Sequence, residues 1–178
     1  CNLGLDARVM SGESLLFENE FDAILSNAAL HWMKKTDAVL AGAYRALKKD
    51  GRFVAEMGGA GNVSKICAAL KLAMEKRGLD FDSAYPWYFP TVEDYQKKLI
   101  AAGFKVEAIK LFARPTPLPG DIAGWLSTFA GSFLSALEQS QWSDLIDEVR
   151  DILSPDLKQD EGLWYADYMR LRFVAIKS

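Results

Sequence analysis

The sequence predicts an α/β fold built on a partly parallel β-sheet, and two patterns carry that prediction. Residues 21–25 (FDAIL) form a short, continuous apolar run, as a strand that is buried on both faces does. Residues 36–47 then carry apolar side chains at helical spacing, and residues 52–57 (RFVAEM) return to strand character. This strand–helix–strand order is typical of parallel strands joined by a crossover helix.

Composition limits the class of protein. The chain has 178 residues, of which 50% are hydrophobic and 25% charged, the ordinary mix of a single globular domain. Its 21 Lys and Arg against 24 Asp and Glu give a net charge of −3. A faintly acidic chain has no overall attraction to nucleic acid or to an anionic membrane, so we expect neither as a partner.

The cysteines and histidine exclude two further kinds of site. Cys1 and Cys67 make no disulfide framework, and one histidine without a close cysteine pair makes no metal site. We therefore expect a reducing compartment, the cytoplasm. No apolar run approaches the roughly 20 residues of a membrane span, and the first residues lack the pattern of a signal peptide.

Further elements of the first half are read in order. Residues 7–10 are a short strand candidate, and the strand at 21–25 ends at a turn signal, Ser26-Asn27. The helix over 36–47 is closed by the cations and glycine of residues 48–51. After the strand at 52–57, a glycine turn leads to a helix that Asn62 or Ser64 could cap.

The second half begins with a loop rich in proline and aromatic residues, at 78–91. Thr91 caps a helix that Gly103 ends, and residues 104–113 form a strand. Two helical segments are apolar on more than one face, which predicts a helical cap over residues 115–160 inserted in a single domain, 1–178. Residues 165–176 form the last strand, with one apolar face (Met169, Leu171, Phe173, Ala175).

One stretch is similar to a known family. FDAILSNAALHW (residues 21–32) resembles the fourth strand and following loop of class I S-adenosylmethionine-dependent methyltransferases, most of all the branch of trans-aconitate methyltransferase and the malonyl-carrier-protein methyltransferase of biotin synthesis. The resemblance continues, in order, through ARVMSGESLLF (7–17), ALKKDGRFVAEM (46–57), GGAGNV (58–63), PWYFPTVEDY (86–95), LIAAGFKV (99–106), RPTPLPGDIAGW (114–125) and DYMRLRFVAI (167–176).

The resemblance implies a fold and an activity. The fold is a Rossmann-like, seven-stranded sheet whose last two strands, here 104–113 and 165–176, form an antiparallel pair at its edge. The activity is transfer of a methyl group from S-adenosylmethionine to a small acceptor that bears a carboxylate. The family's glycine-rich cofactor loop lies upstream of the matched strands, and residues 58–61 lack its spacing. We therefore expect the chain to be the C-terminal portion of a truncated methyltransferase domain.

Two other functions stay open. The chain could be a catalytically inactive fragment or interaction subunit that lacks the cofactor-binding half, with a partner or a second copy covering the exposed sheet edge. It could also bind a small molecule in the same cleft without chemistry.

The predicted catalytic and cofactor residues follow the carboxyl end of a strand, where ligands bind in open α/β sheets. His31, the only histidine, could orient or deprotonate a nucleophile, or it could be structural. The resemblance implies cofactor contacts from Asn27 and Ala28, and from Ser11 and Gly12 near the adenine, where the family often has an aspartate. The alternative for Asn27 is a turn cap.

The predicted substrate residues are aromatic or cationic. Trp32, Trp87, Tyr88 and Trp125 could form the wall of an apolar acceptor pocket, although core packing explains any single aromatic as well. Arg114 and Arg170 could hold an anionic group, with Tyr168 on the face of the last strand that carries Arg170 and Arg172. A solvated strand face is the alternative for these cations.

Overall fold

A computed structural model describes residue 4 and residues 6–178 of the chain. The expectations that involve Cys1 lie outside these residues. The strands are β1 (Phe21–Asn27), β2 (Leu47–Gly58), β3 (Phe104–Ala113), β4 (Thr116–Pro117), β5 (Tyr165–Ala166) and β6 (Met169–Lys177). The helices are α1 (Thr36–Ala46), α2 (Ser64–Glu75), α3 (Phe81–Ala84), α4 (Val92–Ala101), α5 (Ile122–Phe129), α6 (Gly131–Leu134) and α7 (Trp142–Leu157).

The main sheet has the strand order β1-β2-β6-β3. β1 and β2 are parallel, with Asn27 opposite Glu56, and the crossover between them is α1. β6 runs against β2, because Arg172 reaches Glu56 near the end of β2 while Lys177 donates to the Leu47 carbonyl at its start. The α/β prediction is confirmed.

β2 begins earlier than its sequence predicts. Lys48–Gly51 continues the strand from Leu47, whereas their cations and glycine predict the end of α1. The pairing moves from Phe21 opposite Leu47 to Ala23 opposite Arg52, so three extra residues bulge from β2. Asp50 takes a left-handed backbone, with φ of 63°, inside this bulge.

Other elements follow their predicted patterns with three corrections. Thr91 caps α4 by accepting from the Asp94 amide at 3.1 Å, as expected. Residues 7–10 form no strand, and neither Asn62 nor Ser64 is the N-cap of α2, which Val63 occupies in a left-handed conformation. The last strand divides into β5 and β6, and Leu171, Phe173 and Ala175 of β6 are buried as predicted.

The contacts divide the chain into two compact units. The first comprises Cys1–Met57, Pro90–Lys110 and Leu171–Ser178, and the second comprises Gly58–Phe89 and Leu111–Arg170. Residues 115–160 thus belong to the second unit together with α2 and α3. The division into one domain with an inserted cap stays a prediction.

Each unit has an aromatic core of its own. In the first, Phe53 meets the rings of Phe104 and Phe173 at 6.0 and 5.0 Å between centroids. In the second, Phe133 meets Phe81 at 5.0 Å and Trp87 at 5.7 Å. None of the helices formed by residue 4 and residues 6–178 is long and apolar enough to cross a membrane.

Candidate functional site

The first unit places polar groups at the carboxyl ends of its two parallel strands. Asn27 is the last residue of β1 and lies opposite Glu56 near the end of β2. The Ala28 amide donates to the Glu56 carbonyl at 2.8 Å, which extends the pairing by one residue. Ala28 then takes φ of 54°, an unusual value for a residue with a side chain, and the chain turns away from the sheet.

A cavity of about 270 Å³ lies along these strand ends. Its polar wall is formed by Ser26, Asn27, Glu56 and Arg172, and its apolar wall by Leu25, Val54 and Ala55. Arg172 Nε donates to Glu56 Oε2 at 2.8 Å, so a carboxylate with its side chain only 12% exposed is held by a cation at the rim. The cavity is therefore lined by polar and apolar residues from the ends of β1 and β2 and by Arg172 of β6.

Sequence reasoning missed Glu56 and did not select Arg172. The signal for Glu56 was an ionisable residue inside the otherwise apolar stretch FVAEM, at the end of a strand parallel to that of Asn27. Arg172 was weighed with Arg170 because both alternate with Leu171. The ion pair with Glu56 makes Arg172 part of the cavity wall.

His31 lies in a short 3₁₀ helix, Leu30–Trp32, that follows β1. Its side chain is buried, with 6% of the residue exposed, and its ring centroid is 5.6 Å from that of Trp32. Trp32 is 42% exposed, a large fraction for an indole. A buried imidazole beside an open aromatic surface is compatible with a positioning role and equally with a structural one.

Ser11 and Gly12 have structural explanations in this fold. Ser11 Oγ accepts from the Glu13 amide at 3.2 Å and so caps the 3₁₀ helix Gly12–Ser14. A Cβ on Gly12 would meet Met33 Sδ at 2.7 Å, so Gly12 packs closely against the flexible end of the Met33 side chain. Their contact with an adenine stays a prediction.

The second unit brings three predicted substrate residues together. Tyr168 carries the Arg170 guanidinium over its ring, 4.4 Å from the centroid, and its carbonyl accepts from the Arg114 amide at 2.7 Å. Trp125 Nε1 donates to the Tyr168 hydroxyl at 2.7 Å. Trp125 was considered for the acceptor pocket in the sequence, and this hydrogen bond ties it to Tyr168.

The remaining aromatic candidates differ in burial. Trp87 is 4% exposed and stacks on Phe89 at 5.7 Å, with Trp125 at 6.1 Å, so its contacts are those of a core residue. Tyr88 is half-buried beside it. Trp32 belongs to the first unit and the other predicted substrate residues to the second.

A buried polar cluster also lies in the second unit. Burial, then the charge of Asp167, raises the pKa of the Cys67 thiol to about 12, although a hydrogen bond with Tyr85 opposes the shift. Burial likewise raises the pKa of Tyr85, and that of Asp167 against hydrogen bonds from the Lys65 amide and Ser64 hydroxyl. With a raised pKa, the Cys67 thiol carries little thiolate, the nucleophilic form, near neutral pH.

Comparison with known proteins identifies the family. The methyltransferase-domain family matches residues 2–55. An uncharacterized methyltransferase of Schizosaccharomyces pombe is 42% identical over 189 aligned residues, which cover 98% of this chain and 72% of that protein. This chain belongs to the methyltransferase family.

The chain is also similar to a hydroxylase in sequence and to a solved methyltransferase in fold. A mitochondrial arginine-hydroxylase of Danio rerio is 30% identical over 115 residues, covering 63% of this chain and 35% of that protein. A solved loganic acid methyltransferase with S-adenosylhomocysteine superposes with a TM-score of 0.54 at 14% identity, over 95% of this chain and 65% of that one. The fold of this methyltransferase is therefore the class I, Rossmann-like fold.

The methyltransferase fold accounts for the position of the candidate site. Class I sheets bind their ligands outside the carboxyl ends of the parallel strands, and Asn27, Ala28 and Glu56 occupy those ends here. Within residue 4 and residues 6–178, no cluster of three His, Cys, Asp or Glu side chains could hold a metal ion.

Proposed function

We propose that this chain transfers a methyl group from S-adenosylmethionine to a small acceptor that bears a carboxylate. The observation that carries the proposal is the pair of polar groups, Asn27 and Glu56, side by side at the ends of two parallel strands. Family membership and the S-adenosylhomocysteine bound by the loganic acid methyltransferase support the same cofactor. We also propose that the reaction takes place in a reducing compartment, the cytoplasm.

The chemistry of the site residues fits the cofactor. S-adenosylmethionine, when bound, supplies an electrophilic methyl group on a positively charged sulfur and carries an ammonium group as well. Acceptor oxygens suit both cations, and Asn27, Ser26 and Glu56 offer amide, hydroxyl and carboxylate oxygens around one cavity. Asn27 and Ala28 would hold the amino-acid end, and Ser11 and Gly12 would lie near the adenine.

The acceptor requires positioning more than proton transfer. A carboxylate is ionised at neutral pH, so its oxygen is nucleophilic without loss of a proton. His31 would then orient the acceptor, and Arg114 or Arg170 would pair with a second anionic group. Trp32, Trp87, Tyr88 and Tyr168 would exclude water around its apolar part.

Calorimetric titration with S-adenosylhomocysteine tests the cofactor assignment. We expect Asn27→Ala to weaken S-adenosylhomocysteine binding about tenfold relative to the parent chain, since a hydrogen bond to a charged group contributes roughly 1.5 kcal/mol. Gln141→Ala, which removes an exposed carboxamide in the second unit, is the matched control. Equal affinities of Asn27→Ala and Gln141→Ala for S-adenosylhomocysteine would show that Asn27 is not part of the proposed site.

Incubation with radiolabelled S-adenosylmethionine and a panel of small carboxylic acids tests the reaction. Mass spectrometry of the product separates the gain of a methyl group from the gain of an oxygen atom, the reaction of the arginine-hydroxylase relative. Cofactor binding without any product would favour the non-catalytic alternative.

A further inference from the structure

The second unit contains an apolar cavity that the candidate cofactor site does not include. Its volume is about 510 Å³, within the range of roughly 300–1,000 Å³ that small-molecule pockets occupy. It lies between the segment that runs from Thr116 to Asp121 and one side of α5, and Leu118, Gly124, Trp125, Phe129 and Tyr168 line it. Phe129 is 37% exposed, and its ring centroid lies 5.2 Å from that of Trp125 at an interplanar angle of 51°.

The backbone of this cavity wall is held in place by hydrogen bonds. Thr116 and Pro117 of β4 pair with Ala166 and Tyr165 of β5, and the Leu118 amide donates to the Trp164 carbonyl at 2.8 Å. The cavity is therefore a preformed feature of paired strands and a helix.

The polar side chains of the wall are occupied, with one exception. Thr116 Oγ1 donates to the Arg114 carbonyl at 2.9 Å and Thr128 Oγ1 to the Gly124 carbonyl at 2.8 Å. Asp121 caps α5 through the Ala123 amide and lies 3.5 Å from Arg150. The described hydrogen bonds of these side chains are therefore made to other groups of the protein.

Tyr168 is the exception, because of the direction of its bond to Trp125. An indole N–H only donates, so the Tyr168 hydroxyl is the acceptor in that 2.7 Å bond and its own hydrogen is not used there. The guanidinium of Arg170 over the ring withdraws electron density and makes that hydrogen a better donor. The cavity thus offers an apolar surface and one oriented O–H donor.

We propose that this cavity binds a small molecule with an apolar body and a carbonyl oxygen that accepts a hydrogen bond from Tyr168. The proposal rests on the proposed function in one respect, because it makes this ligand the carboxylate-bearing methyl acceptor, with Tyr168 donating to the carboxylate oxygen that does not receive the methyl group. Binding of the ligand itself does not depend on the cofactor.

One glycine in the cavity wall and a second glycine outside the cavity can each take a side chain without a steric clash. A Cβ on Gly124 would have no heavy atom within 4 Å, and the same holds for Gly131 in α6, which does not line the cavity. Gly124→Leu therefore fills the cavity, and Gly131→Leu is its matched control. Both replace a helical glycine, which raises helix propensity.

The binding test uses acetophenone and cumene, which share shape and size but differ in the carbonyl oxygen. Binding is followed by fluorine NMR on protein labelled with 5-fluorotryptophan. We expect Tyr168→Phe to weaken the binding of acetophenone about fivefold, which corresponds to the loss of one neutral hydrogen bond. We expect the same variant to change the affinity for cumene less than about twofold. We expect Gly124→Leu, but not Gly131→Leu, to abolish binding of both.

Each other result overturns a stated part of the inference. Equal effects of Tyr168→Phe on the two probes would exclude Tyr168 as the donor, and unchanged binding in Gly124→Leu would exclude the cavity. Methyl transfer that persists in Gly124→Leu would show that the acceptor binds elsewhere. Probe binding with no methyl transfer in the unmodified chain would leave the pocket standing and remove the proposed function.

Discussion

At the scale of single residues, His31 is the sharpest test of the proposed reaction. It is buried directly after β1, and a positioning role predicts that His31→Ala lowers kcat about tenfold or more while S-adenosylhomocysteine affinity changes less than about threefold. Removal of a buried ring leaves a cavity, so thermal melting must show that the variant is folded.

The conservative variant His31→Asn separates positioning from packing. Asparagine keeps a hydrogen-bonding group at a similar distance from the backbone, and partial recovery of kcat is expected. Loss of kcat and of melting temperature in proportion, with no recovery in His31→Asn, would assign His31 to the core.

Cys67 gives a pH-dependent prediction at the same scale. Its pKa is about 12 in the fold, against an ordinary value of 9.0 that we take for the unfolded chain. The neutral thiol's contribution to stability is thus complete below about pH 9 and is lost as pH rises toward 12, at about 1.4 kcal/mol per pH unit. Urea unfolding between about pH 8 and 10.5 should show a steeper loss for the parent than for Cys67→Ala.

Reactivity provides an independent check on the same thiol. In a Cys1→Ser background, iodoacetamide should modify Cys67 slowly in the folded protein and rapidly in denaturant, because only the thiolate reacts. Rapid modification of the folded protein at about pH 8 would contradict the raised pKa.

At the scale of elements, α2 begins at a cap that is remote in sequence. Asp167 Oδ2 accepts from the Lys65 amide at 2.8 Å and from the Ser64 hydroxyl at 3.2 Å. Asp167→Ala should lower the free energy of unfolding by about 1 kcal/mol, the usual cost of a lost N-cap. Hydrogen exchange should accelerate at the amides of the first turn of α2.

The local cap of α4 is the control for that measurement. Thr91→Ala removes a comparable bond, to the Asp94 amide, and should accelerate exchange only in α4. Equal exchange in α2 of Asp167→Ala and of the parent would show that Asp167 is not its cap.

Helices α4 and α2 show which helix starts the sequence could predict and which it could not. Thr91 caps the helix that directly follows it, so residue type and spacing were sufficient to find α4. Asn62 and Ser64 satisfied the same rule before α2, but Asn62 Oδ1 accepts from the Met169 amide at 2.9 Å, and the remote Asp167 accepts from the Lys65 amide in the first turn. A bond between residues about a hundred positions apart leaves no local pattern.

Strand ends and strand interiors differ in the same way. Continuous apolar runs found both β1 and the inner half of β2. Phe53, Ala55 and Met57 of β2 are buried, as such a run predicts, but no residue of β1 is buried and Leu25 is 79% exposed, so the expectation that residues 21–25 are buried on both faces is wrong. The first residues of β2 are polar and bulged, and only their pairing with β1 makes them a strand. Asn27 and His31 were found by their place after a strand, whereas Glu56 needed the register between two strands.

At the scale of the whole molecule, the predicted site residues fall into two groups. Ser11, Gly12, Asn27, Ala28, His31 and Trp32 belong to the first unit, and Trp87, Tyr88, Arg114, Tyr168 and Arg170 to the second. The four proposed cofactor residues, Ser11, Gly12, Asn27 and Ala28, all belong to the first unit, together with His31 and Trp32, which are proposed for the acceptor. Separate binding tests for the two ligands are therefore the appropriate design.

The sheet edge carries the last prediction. β1 ends the sheet, and Leu25 at this edge is 79% exposed. Natural edges are protected by charged side chains and proline, and β1 carries such a charge only near its start, where the exposed Asp22 pairs with Lys48 at 3.0 Å, while Ala23–Asn27 carry none. We propose that a second copy of the chain covers this edge, because an unprotected strand can pair with its own twofold-related copy.

Sedimentation velocity over a range of concentrations tests this pairing. We expect the 178-residue chain to associate as its concentration rises, and we expect Leu25→Lys to weaken association about tenfold, since a buried lysine at the new interface would be desolvated. Leu72→Lys, at a 45% exposed position on α2, is the matched control and should leave association unchanged. A chain that stays monomeric at every concentration, or two variants with equal effects, would exclude β1 as the contact between copies.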